Sequence, residues 1–179
     1  MSLTVDDAGL IPGIPFVASP NCDERPAAAV IDLLVIHGIS LPPGEFSGDA
    51  IDRLFTNTLD HCADAYFESL RDVRVSAHFL IRRDGSLVQY VPCPFRAWHA
   101  GESTWRGRGA CNDFSIGIEL EGSDEVPYAL VQYSALGALV RALVMKYPIA
   151  GIVGHSEIAP GRKTDPGPHF DWARFRALL

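Results

Sequence analysis

The sequence predicts an α/β domain: one mixed central β-sheet flanked by α-helices. Three observations carry this. Short apolar runs at 32–37 (DLLVIH) and 149–155 (IAGIVGH) have the length and residue types of buried central strands. Segments with helical apolar spacing lie between such runs, the alternation that builds α/β domains. Finally, VSAHFLIRRDGSLVQYV reads as two strands joined by Asp84-Gly85, a hairpin signal that makes part of the sheet antiparallel.

Taken in order, residues 1–30 read as an irregular arm packed on the domain. Pro12, Pro15, Pro20 and Pro26 each fix φ and remove a donor, yet the arm is too rich in Ile, Phe and Val for a solvated tail. The 32–37 strand ends at His37, followed by Gly38 and the loop LPPGEFSGD. Asp49 is placed to cap a helix over 50–60 with Ile51, Leu54, Phe55 and Leu59 on one face. A second short helix is expected over 63–70. In the hairpin's first strand, His78 sits among apolar neighbours, a core or strand-face position. Trp98 and His99 fall in a glycine-rich loop (96–114).

FSIGIELEG (114–122) alternates strictly after Ser115. Ile116, Ile118 and Leu120 take one face; Gly117, Glu119 and Glu121 take the other. A long amphipathic helix is expected over 127–146, with Pro127 in its first turn. Its buried stripe is Ala129, Tyr133, Leu136, Val140, Leu143 and Val144. Tyr147-Pro148 stops it. After the 149–155 strand, Pro160 and Gly161 make 155–165 a loop. DWARFRALL closes the chain as a short helix capped by Asp171, with Trp172 and Phe175 inward.

Composition bounds the function. At 179 residues, with 47% hydrophobic and 21% charged residues, the chain fits one globular domain spanning 1–179. No apolar run reaches the roughly 20 residues of a membrane span, so no membrane partner is expected. MSLTVDDAGL carries acids where a secretory signal has a basic region, and a cytoplasmic location is expected. A net charge of −7 argues against a nucleic-acid partner. The four cysteines form no CxxC pair and are expected as thiols. A monomer is expected.

His37 and His155 each end a core strand. If those strands are neighbours, both imidazoles meet at one sheet edge, and Asp165 can join them from the loop. Two His and a carboxylate with a position left for water is a catalytic zinc pattern, and a non-haem iron triad uses the same donors. A histidine at a strand end can equally be a hydrogen-bonded structural residue. Glu119 lies on the polar face of a strand entering the same sheet, where it can act on metal-bound water.

HSEIAPGRKTDPGP, SIGIELEG, SAHFLIRRDGSLVQYV and WHAG together resemble the zinc N-acetylmuramoyl-L-alanine amidases of the phage-lysozyme and peptidoglycan-recognition-protein superfamily. The resemblance runs from about residue 10 to the C-terminus. It implies that family's fold, Zn²⁺ held by His37, His155 and Asp165, and catalytic roles for Glu119 and Lys163. It further implies that Trp98 and His99 line the groove for a muropeptide. The implied substrate is a cytoplasmic cell-wall turnover fragment, (1,6-anhydro-)N-acetylmuramic acid bearing a short peptide. The amide cut joins the lactyl group to L-alanine, in peptidoglycan recycling. Arg162 and the upstream arginines, Arg74 among them, are candidates for holding the peptide's carboxylates.

Three positions depart from the family pattern. Ala77 stands where many relatives carry a tyrosine. Asp165 replaces the cysteine of the phage and animal members. Gly38 follows the first ligand where an asparagine is expected. Two other classes stay in view: a zinc peptidase acting on the stem peptide, whose HExxH helix is absent here, and a non-catalytic peptidoglycan-binding module, which would lack the metal set.

Overall fold

The computed structural model describes residues 3–179. Its strands are β1 (Cys22–Glu24), β2 (Leu33–Ile39), β3 (Phe79–Ile81), β4 (Leu87–Gln89), β5 (Phe95–Ala97), β6 (Thr104–Trp105), β7 (Arg108–Gly109), β8 (Ser115–Glu121) and β9 (Gly151–Gly154). The helices are α1 (Ala50–Phe55), α2 (Ala65–Glu68), α3 (Leu130–Lys146), α4 (His155–Ile158) and α5 (Trp172–Arg176).

A five-stranded sheet in the order β4-β3-β8-β2-β9 forms the centre. β3, β8, β2 and β9 run parallel, and β4 pairs antiparallel with β3 through the Asp84-Gly85 turn. Gly85 has φ +83°, the left-handed region this turn requires. The sheet is therefore mixed, as the hairpin demands. β1–β5 and β6–β7 form two small antiparallel pairs.

Alternation sorts the sheet's faces. Leu34, Ile36, Ile116, Ile118 and Leu120 pack under α3, whose Tyr133, Leu136, Leu139, Val140 and Leu143 cover them, with Phe170 and Phe175 closing the end. Burying side chains of this size contributes about 1.5–3 kcal/mol each. The opposite face carries Leu33 and Val35, then His37 beside Glu119 in the β2–β8 register. That row delivers the functional side chains.

Several boundaries differ from the sequence expectation, each for a local reason. β2 continues to Ile39, so His37 lies within the strand and not at its end. α1 stops at Phe55 because Asn57 turns to φ +59°, and Thr56 Oγ1 bonds the Asp52 carbonyl at 2.8 Å. Asp49 ion-pairs with Arg53 at 2.8 Å and makes no side-chain cap. α2 is one turn, Ala65–Glu68, and its cap is Asp64.

α3 starts at Leu130, leaving Pro127 outside it. The Gln132 side chain accepts from Ala129 N at 2.9 Å and so fixes the helix start. Val144 is 48% exposed and does not belong to the stripe. The loop after β9 opens with one helical turn, α4, before Pro160-Gly161 breaks it. Asp171 caps α5 by accepting from Arg174 N at 2.9 Å.

The N-terminal arm is more ordered than its prolines suggest. β1 joins β5, Ile11 is buried, and Arg25 reaches the core to donate to the carbonyls of Asn112, Cys93 and Ser115. The four cysteines are free. No helix among the described residues is long and apolar enough to cross a membrane.

Candidate functional site

β2 and β9 are neighbours, with Ile36 level with Gly154. His37 and His155, one residue further along each, therefore meet near the carboxyl ends of the parallel strands, where α/β sheets open their crevices. The Nδ1 atoms of the two rings lie 2.9 Å apart, and Asp165 Oδ2 lies 3.1 Å from each. Among the described residues these three form the candidate metal cluster. Both rings turn Nε2 away from this point: His37 to His99 Nδ1 at 2.9 Å, His155 to the Ala100 carbonyl at 3.0 Å.

A carbonyl only accepts, so His155 Nε2 carries its proton and its Nδ1 offers a lone pair. Three donor atoms within 2.9–3.1 Å of one another lie close enough to share a single ion with bonds of about 2.0–2.2 Å. The electrostatics agree. Burial pushes Asp165 upward, yet its close contacts with the His155 and His37 rings outweigh it and hold the carboxyl well below its ordinary range. Burial, reinforced by His155, outweighs Asp165 at His37 and brings that imidazole down to about 4, the neutral form a metal binds.

Glu119 stands level with His37 on the adjacent strand, 8% exposed. Its Oε2 has no hydrogen-bond partner among the described residues. Burial first, then the Asp165 carboxylate, push its carboxyl well above the ordinary value, and Lys163 opposes them. A buried carboxyl with a raised pKa and a free oxygen, aimed into a cavity, can exchange a proton with a group held there.

That cavity has a volume of about 440 Å³. His37, His99, Glu119, His155, Arg162, Lys163 and Asp165 all line it. Leu41, Leu54, Phe55, Tyr66, Leu70 and Val75 give it an apolar wall, while Ser123, Asp124 and Thr164 are polar lining residues. A wall of this kind was not legible beforehand, because its members lie on α1, α2 and their loops.

Two sequence candidates fall outside the lining. Trp98 is half-buried, and together with Arg96, the larger cause, it holds the Asp23 carboxyl below its ordinary value. Arg74 is exposed and donates to the carbonyls of Arg71 and Val73. Arg162 does line the cavity, but its Nη2 is bound to the carbonyls of Ala100 and Glu102, both at 2.6 Å. It thus braces the same Ala100 carbonyl that orients His155. His99 is 8% exposed and packs on Gly117, where a Cβ would stand 2.4 Å from its ring.

His78 proves to be a core residue. Its Nδ1 accepts from Gly117 N at 3.0 Å and its Nε2 faces the Phe95 carbonyl at 3.0 Å. Burial, with Arg25 nearby, lowers it to about 3. Gly38 has a role that its spacing did not reveal. A Cβ there would lie 2.3 Å from the Tyr128 hydroxyl, which donates to the Pro166 carbonyl beside Asp165 at 2.9 Å.

Comparison with known proteins agrees with this geometry. Residues 27–168 match the N-acetylmuramoyl-L-alanine amidase family Amidase_2. The chain is 57% identical over 175 residues to the 1,6-anhydro-N-acetylmuramyl-L-alanine amidase AmpD of Citrobacter freundii, covering 97% of this chain and 94% of that one. A crystal structure of a selenomethionine AmpD derivative superposes with a TM-score of 0.94 at 58% identity, over 97% of this chain and 98% of the other. Escherichia coli AmiD, solved with anhydro-N-acetylmuramic acid-L-Ala-D-γ-Glu-L-Lys, gives a TM-score of 0.61 at 32% identity, over 87% and 60% of the two chains. This chain belongs to the N-acetylmuramoyl-L-alanine amidase family and is an amidase.

Proposed function

We propose that this amidase is a cytoplasmic zinc enzyme of peptidoglycan recycling. It hydrolyses the amide between the lactyl group of (1,6-anhydro-)N-acetylmuramic acid and L-alanine in muropeptides. The observation that carries the reading is the convergence of His37 Nδ1, His155 Nδ1 and Asp165 Oδ2 beside the unpartnered Glu119 carboxyl. The relatives' names and the substrate held by AmiD supply the sugar-peptide class.

Zn²⁺ on this donor set would supply Lewis acidity to the scissile carbonyl and to the attacking water. His37, His155 and Asp165 would hold the ion. Glu119 accepts a proton from the attacking water through its free oxygen and returns it to the departing amine of L-alanine. The Lys163 ammonium faces the negative charge that develops on the carbonyl oxygen. The apolar wall excludes water from one side of the bond and takes the substrate's non-polar surface. Arg162 holds the Ala100–Glu102 segment and presents its remaining edge to the peptide.

The test is mass spectrometry of anhydro-muramyl-tripeptide incubated with zinc-loaded and EDTA-treated protein. Free tripeptide should appear only with metal. Equal release after EDTA would remove the metal from the mechanism. Cleavage within the peptide would move the enzyme to the zinc peptidases.

A further inference from the structure

A neutral imidazole carries its proton on either nitrogen, and only the Nε2–H tautomer offers Nδ1 to a cation. His155 is fixed in that form by a carbonyl. His37 has no such anchor: its Nε2 faces another imidazole, which itself has two tautomers, while its Nδ1 faces the Asp165 carboxylate at 3.1 Å, an acceptor that favours the opposite tautomer. We propose that His99 and Ser115 form a proton-ordering relay that locks His37 in the metal-binding tautomer, making them positioning residues for the metal centre. The proposal rests on the reading of His37 as a ligand.

The order is set from the far end. Ser115 Oγ lies 2.6 Å from the Cys111 carbonyl oxygen, and only the serine can bring a proton to that contact. With its one proton committed there, Ser115 Oγ accepts from His99 Nε2 at 3.1 Å. His99 therefore carries its proton on Nε2 and shows a lone pair at Nδ1. His37 Nε2, 2.9 Å from that lone pair, must be the donor. His37 Nδ1 is left bare, and it is this atom that meets Asp165 and His155.

Burial keeps water from scrambling the sequence. Ser115 is 0% exposed, His99 8% and His37 1%. The scaffold holds the relay ring in place from two sides. Gly117 leaves space that a Cβ would fill, and Asn112 Oδ1 accepts the backbone N–H groups of His99 and Ala100 at 3.2 and 2.8 Å. A ring serving only to line a substrate groove would need neither its Nε2 satisfied in the core nor its Nδ1 turned onto a ligand. Partners beyond the ligands commonly change metal affinity by about 10–100-fold.

The experiment reads tautomers and affinity in the full chain. In metal-free protein with ¹⁵N-labelled histidine near neutral pH, long-range ¹H–¹⁵N correlations should show His37 and His99 both protonated at Nε2. A wild-type His37 protonated at Nδ1 overturns the relay, and that spectrum needs no variant. Zinc affinity, measured by competition with a chelator, should fall about 10–100-fold in His99→Leu. His99→Asn, whose Oδ1 takes the place of Nδ1, should recover most of the loss. Ser115→Ala should show a mixture of His37 tautomers. Undiminished zinc binding by His99→Leu, or no rescue by His99→Asn, overturns the relay alone. A wild type that binds no zinc overturns the metal-site reading and the positioning role with it.

Discussion

In the proposed mechanism Glu119 and Lys163 divide the chemistry between a buried group and an exposed one. Glu119 lies in the sheet face with Oε2 unpartnered, an arrangement that costs folding energy and supports the proton-transfer role proposed for it. Replacing it with Gln keeps size and polarity but removes proton transfer. Glu119→Gln should lower kcat by about a hundredfold or more with zinc content unchanged. Full activity in that variant would take the proton-transfer role away from Glu119. Lys163 is exposed on the loop that carries Asp165 and lines the same cavity. Lys163→Met should lower kcat by about 10²–10³-fold with little change in KM, since its charge is needed where the oxyanion forms. A rise in KM with kcat intact would make it a binding residue instead.

At the scale of elements, β8 explains what the sequence could reveal. The alternation of Ile116, Ile118 and Leu120 against Gly117, Glu119 and Glu121 sorts the two faces correctly, because successive side chains of a strand point to opposite faces, even though both faces of this strand are buried. The hairpin and the two strands that lead to His37 and His155 were legible for similar local reasons, whereas their pairing stood only as a condition until the register placed Ile36 level with Gly154. What stayed hidden depends on segments meeting from far along the chain. The capture of Arg162 by the carbonyls of Ala100 and Glu102 spans some sixty residues, and no spacing rule reports it. The early end of α1 and the late start of α3 hinge on single side-chain bonds by Thr56 and Gln132.

Gly117 offers an element-scale test. A methyl there would stand 2.4 Å from His99 Cγ, and the ring is confined by Ser115 and His37. Gly117→Ala should destabilise the protein by about 1–3 kcal/mol, the usual cost of overpacking, as read from urea denaturation. Unchanged stability would mean that the His99 ring can move freely, contrary to its two hydrogen bonds.

For the molecule as a whole, the buried imidazoles set the response to acid. His37 is lowered to about 4 and His78 to about 3, while His99 lies well below its ordinary value, burial being the first cause in each. The unfolded chain binds these protons near pH 6.5, and the folded chain does not. Stability from these groups is therefore complete above about pH 6.5 and is lost as pH falls towards their folded values. Glu119 acts in the opposite sense. Its raised pKa keeps a proton in the folded state that the unfolded chain has released above about 4.5, so its contribution declines as pH rises. Near pH 5 the balance is three protons gained against one lost on unfolding. Metal-free protein should thus lose about 3 kcal/mol per pH unit there, at about 1.4 kcal/mol for each net proton. Urea denaturation midpoints at several values between about pH 5 and 6 measure the slope. A flat or inverted dependence would mean that the histidines are charged in the folded protein, incompatible with neutral ligands at the metal centre.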